Sequence, residues 1–326
     1  MKPPKGAVVR KFEIAAIQKD IKYNSFGDHD PEGLIFVPLD NAKDVLHGKK
    51  EPVPLIVRAN AGDWIEVTLY NMFNPKVPIK FNDYPSVPLD FPHKPGNRVS
   101  LNPQFLKYNP VTSSGINVGY NPVEQTVGPG EKIKYLWHAD REYGTALLSS
   151  FGDLRNHRHH GLFGAIIIEP TGEKGYNYRS ERFFNRLKRV PIISKVFDSK
   201  THGDPATPLF RSYVGERVKI RFLMPADKPR NIGLLIHGHR WKAQSDDPLS
   251  NDICVQGAIS VGNVFNIEPE RTKCRGDYLY SSGSLRWDVE SGMWGIIRVM
   301  KRNIRCHCET ACRRVKSWFD KKIHKD

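Results

Sequence analysis

The sequence has few cysteines and no long apolar segment, and each shortage excludes a class of protein. Its 326 residues include five cysteines, and an odd number in a chain of this length does not indicate a disulfide framework. No apolar run approaches the roughly 18–20 residues that cross a bilayer, so we expect no transmembrane segment. No apolar signal-peptide core follows the first five residues, which predicts reduced thiols and, by default, a cytoplasmic location.

The motifs of several common enzyme classes are also missing. The chain has no Gly-rich phosphate loop, no Gly-x-Ser-x-Gly nucleophile elbow and no His-Glu-x-x-His zinc motif. Asp246 and Asp247 are adjacent in a loop ended by a proline, a setting typical of solvated carboxylates. These motifs therefore assign no catalytic residue and no site for an organic cofactor.

Positive charge is abundant but concentrated. The net charge is +15, and residues 298–326 carry ten Lys/Arg against three acids, a net +7. Residues 179–200 carry seven against two, a net +5, so the two stretches hold 12 of the 15 charges. Neither interleaves aromatic and basic residues as a nucleic-acid platform does, so we predict no specific nucleic-acid binding. A solvated linker and tail is one interpretation, and contact of the basic tail with an anionic surface is the other.

Short alternating runs bounded by Gly and Pro predict an all-β protein of two domains. Strands are predicted at 54–60, 64–70, 123–127, 132–138 and 161–170, and then at 208–213, 218–223, 232–236, 262–267 and 294–300. We predict two β-sandwiches at 8–173 and 206–301, joined by a basic linker at 174–205 with a short helix near 180–188. A basic Cys/His-containing tail, with a helical stretch at 305–322, follows at 302–326.

Four tracts resemble the multicopper oxidases, above all bacterial copper oxidases of the manganese-oxidising type. The sequence Val-Thr-Leu-Tyr-Asn at 67–71 precedes the first tract at 78–83, and the second spans 144–150 with Gly-Leu-Phe-Gly-Ala-Ile-Ile-Ile at 161–168. The third is Ile-His-Gly-His-Arg-Trp at 236–241, and the fourth spans 282–293 with its Trp, acid and Gly-Met in register. The resemblance implies plastocyanin-like cupredoxin domains with Greek-key topology, a copper cofactor and oxidoreductase activity.

The copper ligands of that family are largely replaced. A trinuclear centre uses four His-x-His pairs, and only one of those eight imidazoles, His237, remains. A blue-copper centre uses two His and a Cys thiolate with a weak axial Met, and only Met293 is retained. The replacements are Lys80, Asn82, Ser149, Phe151, Leu235, Ser282 and Ser284 at the trinuclear positions, and Ile232, Gly283 and Asp288 at the blue-copper positions.

Three groups of residues remain as candidate metal ligands. His237 and His239 have the two-residue spacing of neighbours on one strand face, as do His157 and His159. The tail has the ligand types of a soft-metal site, in a basic setting that favours thiolate. Hydrogen-bonded histidines, a polar loop and a reactive tail are the alternative interpretations. The full candidate set is His138, His157, His159, His160, His237, His239, Met293, Cys306, Cys308 and Cys312.

Two functional hypotheses follow from this ligand count. One is a degenerate multicopper-oxidase-like protein that lacks both copper centres and acts as a structural or binding module. Its expected partner is a homologous cupredoxin subunit or a second copy of the chain. The other is a copper-binding oxidoreductase with a reduced histidine site. Whether the chain is an enzyme stays open at this point, and outside the resemblance no cofactor is predicted.

Overall fold

A computed structural model describes residues 1–23, 27–79, 95–154, 156–172, 193–225, 232–283 and 292–301. The described residues form mostly β-strands, together with three short helices and one 3-10 turn. The strands of the first half are β1 Val9–Gln18, β2 Ile21–Lys22, β3 His29–Asp30, β4 Leu34–Pro38, β5 Leu55–Asn60, β6 Trp64–Asn71, β7 Asn102–Pro103, β8 Lys107–Tyr108, β9 Lys132–His138, β10 Gly144–Ser149 and β11 Phe163–Glu169. Those of the second half are β12 Leu209–Tyr213, β13 Ile220–Leu223, β14 Ile232–Ile236, β15 Trp241–Lys242, β16 Asp252–Ile253, β17 Val255–Ile259, β18 Val264–Ile267, β19 Gly276–Ser282 and β20 Trp294–Met300. The helices are α1 Leu39–Leu46, α2 Asn156–His159 and α3 Ser199–His202, with the 3-10 turn at Ile193–Lys195.

Two sheets form the first sandwich. One has the strand order β4-β1-β6-β9-β8 and the other β5-β11-β10-β7. Alternation places one face of each strand inward, so that Ile65, Val67 and Leu69 of β6 are buried in a single core with residues of β5, β9, β10 and β11. This core closes the sandwich on which most candidate histidines lie.

Helix α1 covers the outer face of the edge formed by β1 and β4. Its Ala42 and Val45 pack on Ile17 and Val37 in a second, smaller core. The helix begins after Pro38 without a side-chain cap. Among the described residues, no helix is long and apolar enough to cross a membrane.

The second sandwich repeats the plan with fewer strands. A five-stranded sheet, β12-β20-β19-β14-β17, faces the two-stranded sheet β13-β18. Their shared core contains Ile236, Tyr280 and Ile297, with Phe222 and Phe265 packed against it from the smaller sheet. The predicted all-β fold of two cupredoxin-like sandwiches is confirmed, whereas the domain boundaries stay predictions. The basic tail and the predicted helices at 180–188 and 305–322 lie outside the described residues.

A polar network connects the two sandwiches. Glu169, at the end of β11, accepts hydrogen bonds from Arg58 of β5 at 2.8 Å and from Arg221 of β13 at 3.1 Å. Arg221 also donates to the side-chain oxygen of Asn266 in β18, and the backbone N–H of Thr145 donates to the same oxygen at 3.0 Å. The glutamate side chain is only 7% exposed, so its charge is neutralised mainly by these two guanidinium groups.

One local strand prediction is wrong. Residues 123–127 contain no strand, because Gln125 is held by side-chain hydrogen bonds and only Val127 forms an isolated bridge, to Val99. The runs at 208–213 and 218–223 are both strands, yet β12 pairs with β20 and β13 pairs with β18. The turn between them joins two different sheets.

Candidate functional site

Three of the four positions matched to blue-copper ligands lie in the same part of the second sandwich. Met293 packs against the core cluster that contains Ile232. The backbone N–H of Gly283 donates to the carbonyl oxygen of Gly233, the neighbour of Ile232, at 3.2 Å. Asp288 lies outside the described residues. The aliphatic side chain of Ile232 and a glycine offer no lone pair, and a thioether is a weak ligand, so the described residues do not fit a blue-copper ion.

The positions matched to trinuclear ligands are equally poor in donors. Ser149 is the last residue of β10, and Phe151 lies two residues beyond it. Both are half-buried. Leu235 lies opposite Ser281 across β14 and β19, and Ser282 donates its backbone N–H to Met293 at 3.1 Å. Lys80, Asn82 and Ser284 lie outside the described residues. His237 therefore has no imidazole partner at the described matched positions, and these residues do not fit a copper cluster.

His157 is fully buried and both of its ring nitrogens are engaged. Its Nε2 lies 2.9 Å from the carbonyl oxygen of Gly96, which only accepts, so Nε2 carries the proton. Its Nδ1 then accepts from the hydroxyl of Ser150 at 2.9 Å. The Ser150 oxygen in turn accepts from the backbone N–H of Ser100 at 3.2 Å. Burial lowers the pKa of His157 and outweighs the opposing effects of the Gly96 hydrogen bond and the Asp153 charge.

The lowered pKa of His157 predicts a pH-dependent stability. The unfolded chain binds a proton below about pH 6.5 while the folded chain does not, so the free energy of unfolding falls as pH drops below that value. Urea unfolding at pH 5 to 8 measures the free energy of unfolding. As the pH falls, this free energy should decrease more steeply for the parent than for His157→Gln, and the two slopes should differ by at most about 1.4 kcal/mol per pH unit. Exposed His47→Gln should keep the parent's slope. Parallel curves for the parent and His157→Gln would show that burial does not shift this imidazole.

The sequence-based pairing of His157 with His159 on a strand face is wrong, because both belong to the one-turn helix α2. His159 is half-buried. Asp153 stabilises the start of this helix by accepting from the backbone N–H of Asn156 at 2.9 Å and from that of Gly96 at 2.9 Å. Hydrogen bonds of Asp153 and His157 therefore connect this helix, which precedes strand β11, to the chain at Gly96.

The two remaining candidate ligands of the first sandwich, His160 and His138, also have structural partners. The Nδ1 of His160 lies 2.9 Å from a carboxylate oxygen of Asp30, which ties the end of α2 to β3. His138, at the end of β9, stacks on Trp64 of β6 with ring centroids 4.6 Å apart. Their metal-binding role stays a prediction.

His237 and His239 do not share a strand face, because β14 ends at Ile236 and Gly238 turns the chain with a φ of 70°. His237 is exposed, whereas His239 is only 7% exposed. Since a carbonyl oxygen only accepts, the Nδ1 of His239 donates to the oxygen of His237 at 2.9 Å. Its Nε2 lies 2.8 Å from the Thr272 hydroxyl, which donates to it in the neutral ring. Both nitrogens of His239 are thus occupied within the second sandwich.

No three His, Cys, Asp or Glu side chains of the described ranges are grouped so that they could hold a metal ion. Cys306, Cys308 and Cys312 lie outside those ranges, so the tail site stays a prediction. Sequence reasoning missed Ser150, Gly96 and Thr272, the partners that fix the buried imidazoles. Gly96 and Thr272 are distant along the chain from the histidines they contact, and Ser150 lies in the second tract at a position not matched to a ligand, so no sequence signal points to these partners.

A cavity of about 370 Å³ lies at the end of β6. The turn at 129–131, which leads into β9, forms its other wall. Its lining is largely apolar and consists of Tyr70, Asn71, Met72, Phe73, Pro75, Pro129, Gly130 and Glu131. None of these lining residues is a candidate metal ligand, although Phe73 makes an edge-to-face ring contact with His157 at 6.1 Å between centroids.

Comparison with solved structures assigns the fold. A copper nitrite reductase from Nitrosomonas europaea superposes with a TM-score of 0.56 at 18% identity, over 90% of this chain and 95% of that one. A multicopper oxidase superposes with a TM-score of 0.58 at 16% identity, over 92% of each chain. The chain thus has the cupredoxin fold of these copper proteins. The predicted resemblance to multicopper oxidases is confirmed as a likeness of fold.

One curated relative extends the comparison to sequence. It is a probable nitrite reductase–hydroxylamine oxidoreductase fusion protein of Kuenenia stuttgartiensis, 23% identical over 235 residues. The match covers 64% of this chain and 26% of the relative, so the chain spans about a quarter of the length of the protein it matches. No protein-family model matches the sequence.

Proposed function

We propose that this chain is a copper-poor cupredoxin-fold protein that acts as a structural or binding module instead of an oxidase. The observation that carries the proposal is the chemistry at the matched ligand positions. Ile232 and Gly283 come together with Met293 and contribute no imidazole or thiolate. Electron transfer through a blue copper to a trinuclear centre has no described ligand set to support it.

The buried imidazoles support the same proposal. His157 and His239 each use both ring nitrogens in hydrogen bonds within the protein. A metal would have to displace at least one of these bonds, which leaves a buried polar group unpaired at a cost of about 1–3 kcal/mol. These two side chains therefore act as internal hydrogen-bond bridges that hold loops to strands.

Copper content and oxidase activity test the proposal together. The protein purified with added copper should contain well under one copper per chain after desalting, show no charge-transfer band near ~600 nm, and oxidise neither a phenolic dye nor Mn(II). About four coppers with a blue band would refute the proposal. One colourless metal per chain, lost in His237→Ala and kept in the control His47→Ala, would instead establish the reduced-site oxidoreductase.

A further inference from the structure

One end of the second sandwich carries an excess of positive charge. Three segments meet there: the turn at 214–219 between β12 and β13, the turn at 237–240 after β14, and the connection at 268–275 that leads into β19. The chain also leaves β20 there, at Lys301. We call these residues the basic end. Its charged residues are seven cations and three acids, a net +4: Arg217, Lys219, Arg240, Arg271, Lys273, Arg275 and Lys301 against Glu216, Glu268 and Glu270.

The sheet register and backbone hydrogen bonds make the basic end one surface. β12 and β20 run parallel and end together, and the antiparallel strand β19 begins beside them. The backbone N–H of Gly215 donates to the carbonyl oxygen of Thr272 at 3.0 Å, and that of Glu270 donates to Arg240 at 2.8 Å. The N–H of the residue before Gly215 donates to Met300 at 3.0 Å, which fixes the point where the chain leaves the sheet. Cations that are distant in sequence are therefore neighbours in the fold.

Most of this charge is not neutralised within the fold. Glu268 is paired with Arg217, whose side chain is 58% exposed. Among the described residues, no carboxylate lies at ion-pair distance from Arg271, Lys273 or Arg275, and all three are exposed. Exposed cations that lie close together raise the local electrostatic potential, so the basic end attracts anions.

The surroundings of the basic end do not share its charge. The adjoining hairpin β15–β16 has the opposite sign, with Asp246 and Asp247 at its tip. Farther along β20, Arg298 is neutralised by Asp277 at 2.8 Å and by Asp204 at 2.7 Å. The positive excess therefore has a boundary, and such a pattern orients an anionic partner toward one end of the sandwich.

We propose that the basic end docks on an anionic phospholipid surface. Clusters of Lys and Arg bind the anionic headgroups of a membrane leaflet, and the guanidinium groups of arginine bind phosphate oxygens in pairs. The chain continues from this end into residues 302–326, which carry eight Lys/Arg against three acids and include Trp318 and Phe319. Basic residues with Trp and Phe form the composition of segments that lie on a membrane surface. The docking rests on the proposed function as a binding module and names its partner.

The contacts of the basic end favour lipid over nucleic acid. Stacking of bases requires free aromatic faces. The ring of Tyr278 instead packs against His239, with centroids 4.9 Å apart, and its hydroxyl donates to the carbonyl oxygen of Cys274. The described residues of the basic end include no helix that could enter a major groove, and the adjoining β-ribbon is acidic.

Co-sedimentation of the full chain with vesicles tests the docking. The parent should bind vesicles of equal parts phosphatidylcholine and phosphatidylserine but not vesicles of phosphatidylcholine alone. About 0.5 M salt should release it, because salt screens the attraction. Each cation near an anionic surface changes the affinity about fivefold. The combined substitutions Arg271→Gln, Lys273→Gln and Arg275→Gln should therefore lower the affinity for the mixed vesicles roughly 100-fold.

The matched control removes the same charge from the first sandwich. Lys22, Lys49 and Lys76 are exposed there, and replacing all three with glutamine should lower the affinity less than about fivefold. Equal losses in the two triple variants would show that net charge alone governs binding and would overturn the docking. Full affinity in the basic-end variant would also overturn it, since the tail would then carry all of the binding.

A different kind of anionic partner is a further outcome of the test. A parent that binds a single-stranded oligonucleotide or polyglutamate but not the mixed vesicles would refute the assignment to lipid. None of these results depends on copper content, so the docking and the proposed function can fail separately.

Discussion

Replacing Glu169 with glutamine should lower the free energy of unfolding by about 3–5 kcal/mol. Glu169 is the anion between Arg58 and Arg221, whose side chains are 22% and 16% exposed. Glutamine keeps the shape but removes the charge, so two guanidinium groups are left close together with their neutralising partner gone. Urea unfolding followed by tryptophan fluorescence measures the loss.

The exposed ion pair between Arg217 and Glu268 provides the matched control. These side chains are 58% and 35% exposed, so water screens their charges. Glu268→Gln should therefore cost less than about 1 kcal/mol. Equal losses in the two variants would mean that the Glu169 network does not hold the two sandwiches together.

Replacing Gly152 with alanine should cost about 3 kcal/mol, at the upper end of the range for overpacking. An added Cβ would lie 1.9 Å from the carbonyl oxygen of Arg98 and 3.2 Å from the Cα of Val99. Both obstacles are backbone atoms, so a change of rotamer cannot relieve the clash. The loop at 150–153 would move away from Arg98 and disturb the hydrogen bond between Ser150 and His157. Thermal unfolding and the His157 ring proton resonances report the two effects separately.

Gly257 in β17 is the control for this substitution, because an added Cβ there meets nothing within 4 Å. Gly257→Ala should be within about 0.5 kcal/mol of the parent. A Gly152→Ala protein as stable as Gly257→Ala would contradict the close packing of the loop against Arg98.

The strands that sequence patterns predicted best are those with one clearly apolar face. The run predicted at 64–70 is strand Trp64–Asn71, and the closing run predicted at 161–170 contains strand Phe163–Glu169. Each carries enough alternating or continuous apolar residues to define a buried face without tertiary information. The sequence patterns do not predict helix α1, because the helix is only eight residues long. It also begins after Pro38 without a capping side chain that would mark its start.

The candidate site was predictable in its chemistry but not in its contacts. Whether a side chain can bind copper depends on its residue type. The absence of an imidazole at Ile232 and of a thiolate at Gly283 can therefore be recognised from the sequence. The state of the surviving histidines is not visible there, since His157 is fixed by Gly96, 61 residues away, and His239 by Thr272, 33 residues away. The two-residue spacings suggested strands where the chain forms a helix at His157 and a turn at Gly238. Spacing defines a shared face only when the backbone conformation is known.

Anomalous diffraction at the copper edge, on crystals of protein purified with added copper, tests the absence of an oxidase centre most directly. The ligand chemistry predicts no anomalous peak beside Ile232, Gly283 and Met293, and none beside His157 or His239. A copper peak at Met293, or a cluster of peaks between the two sandwiches liganded by histidines, would contradict the proposal that this chain is a copper-poor module.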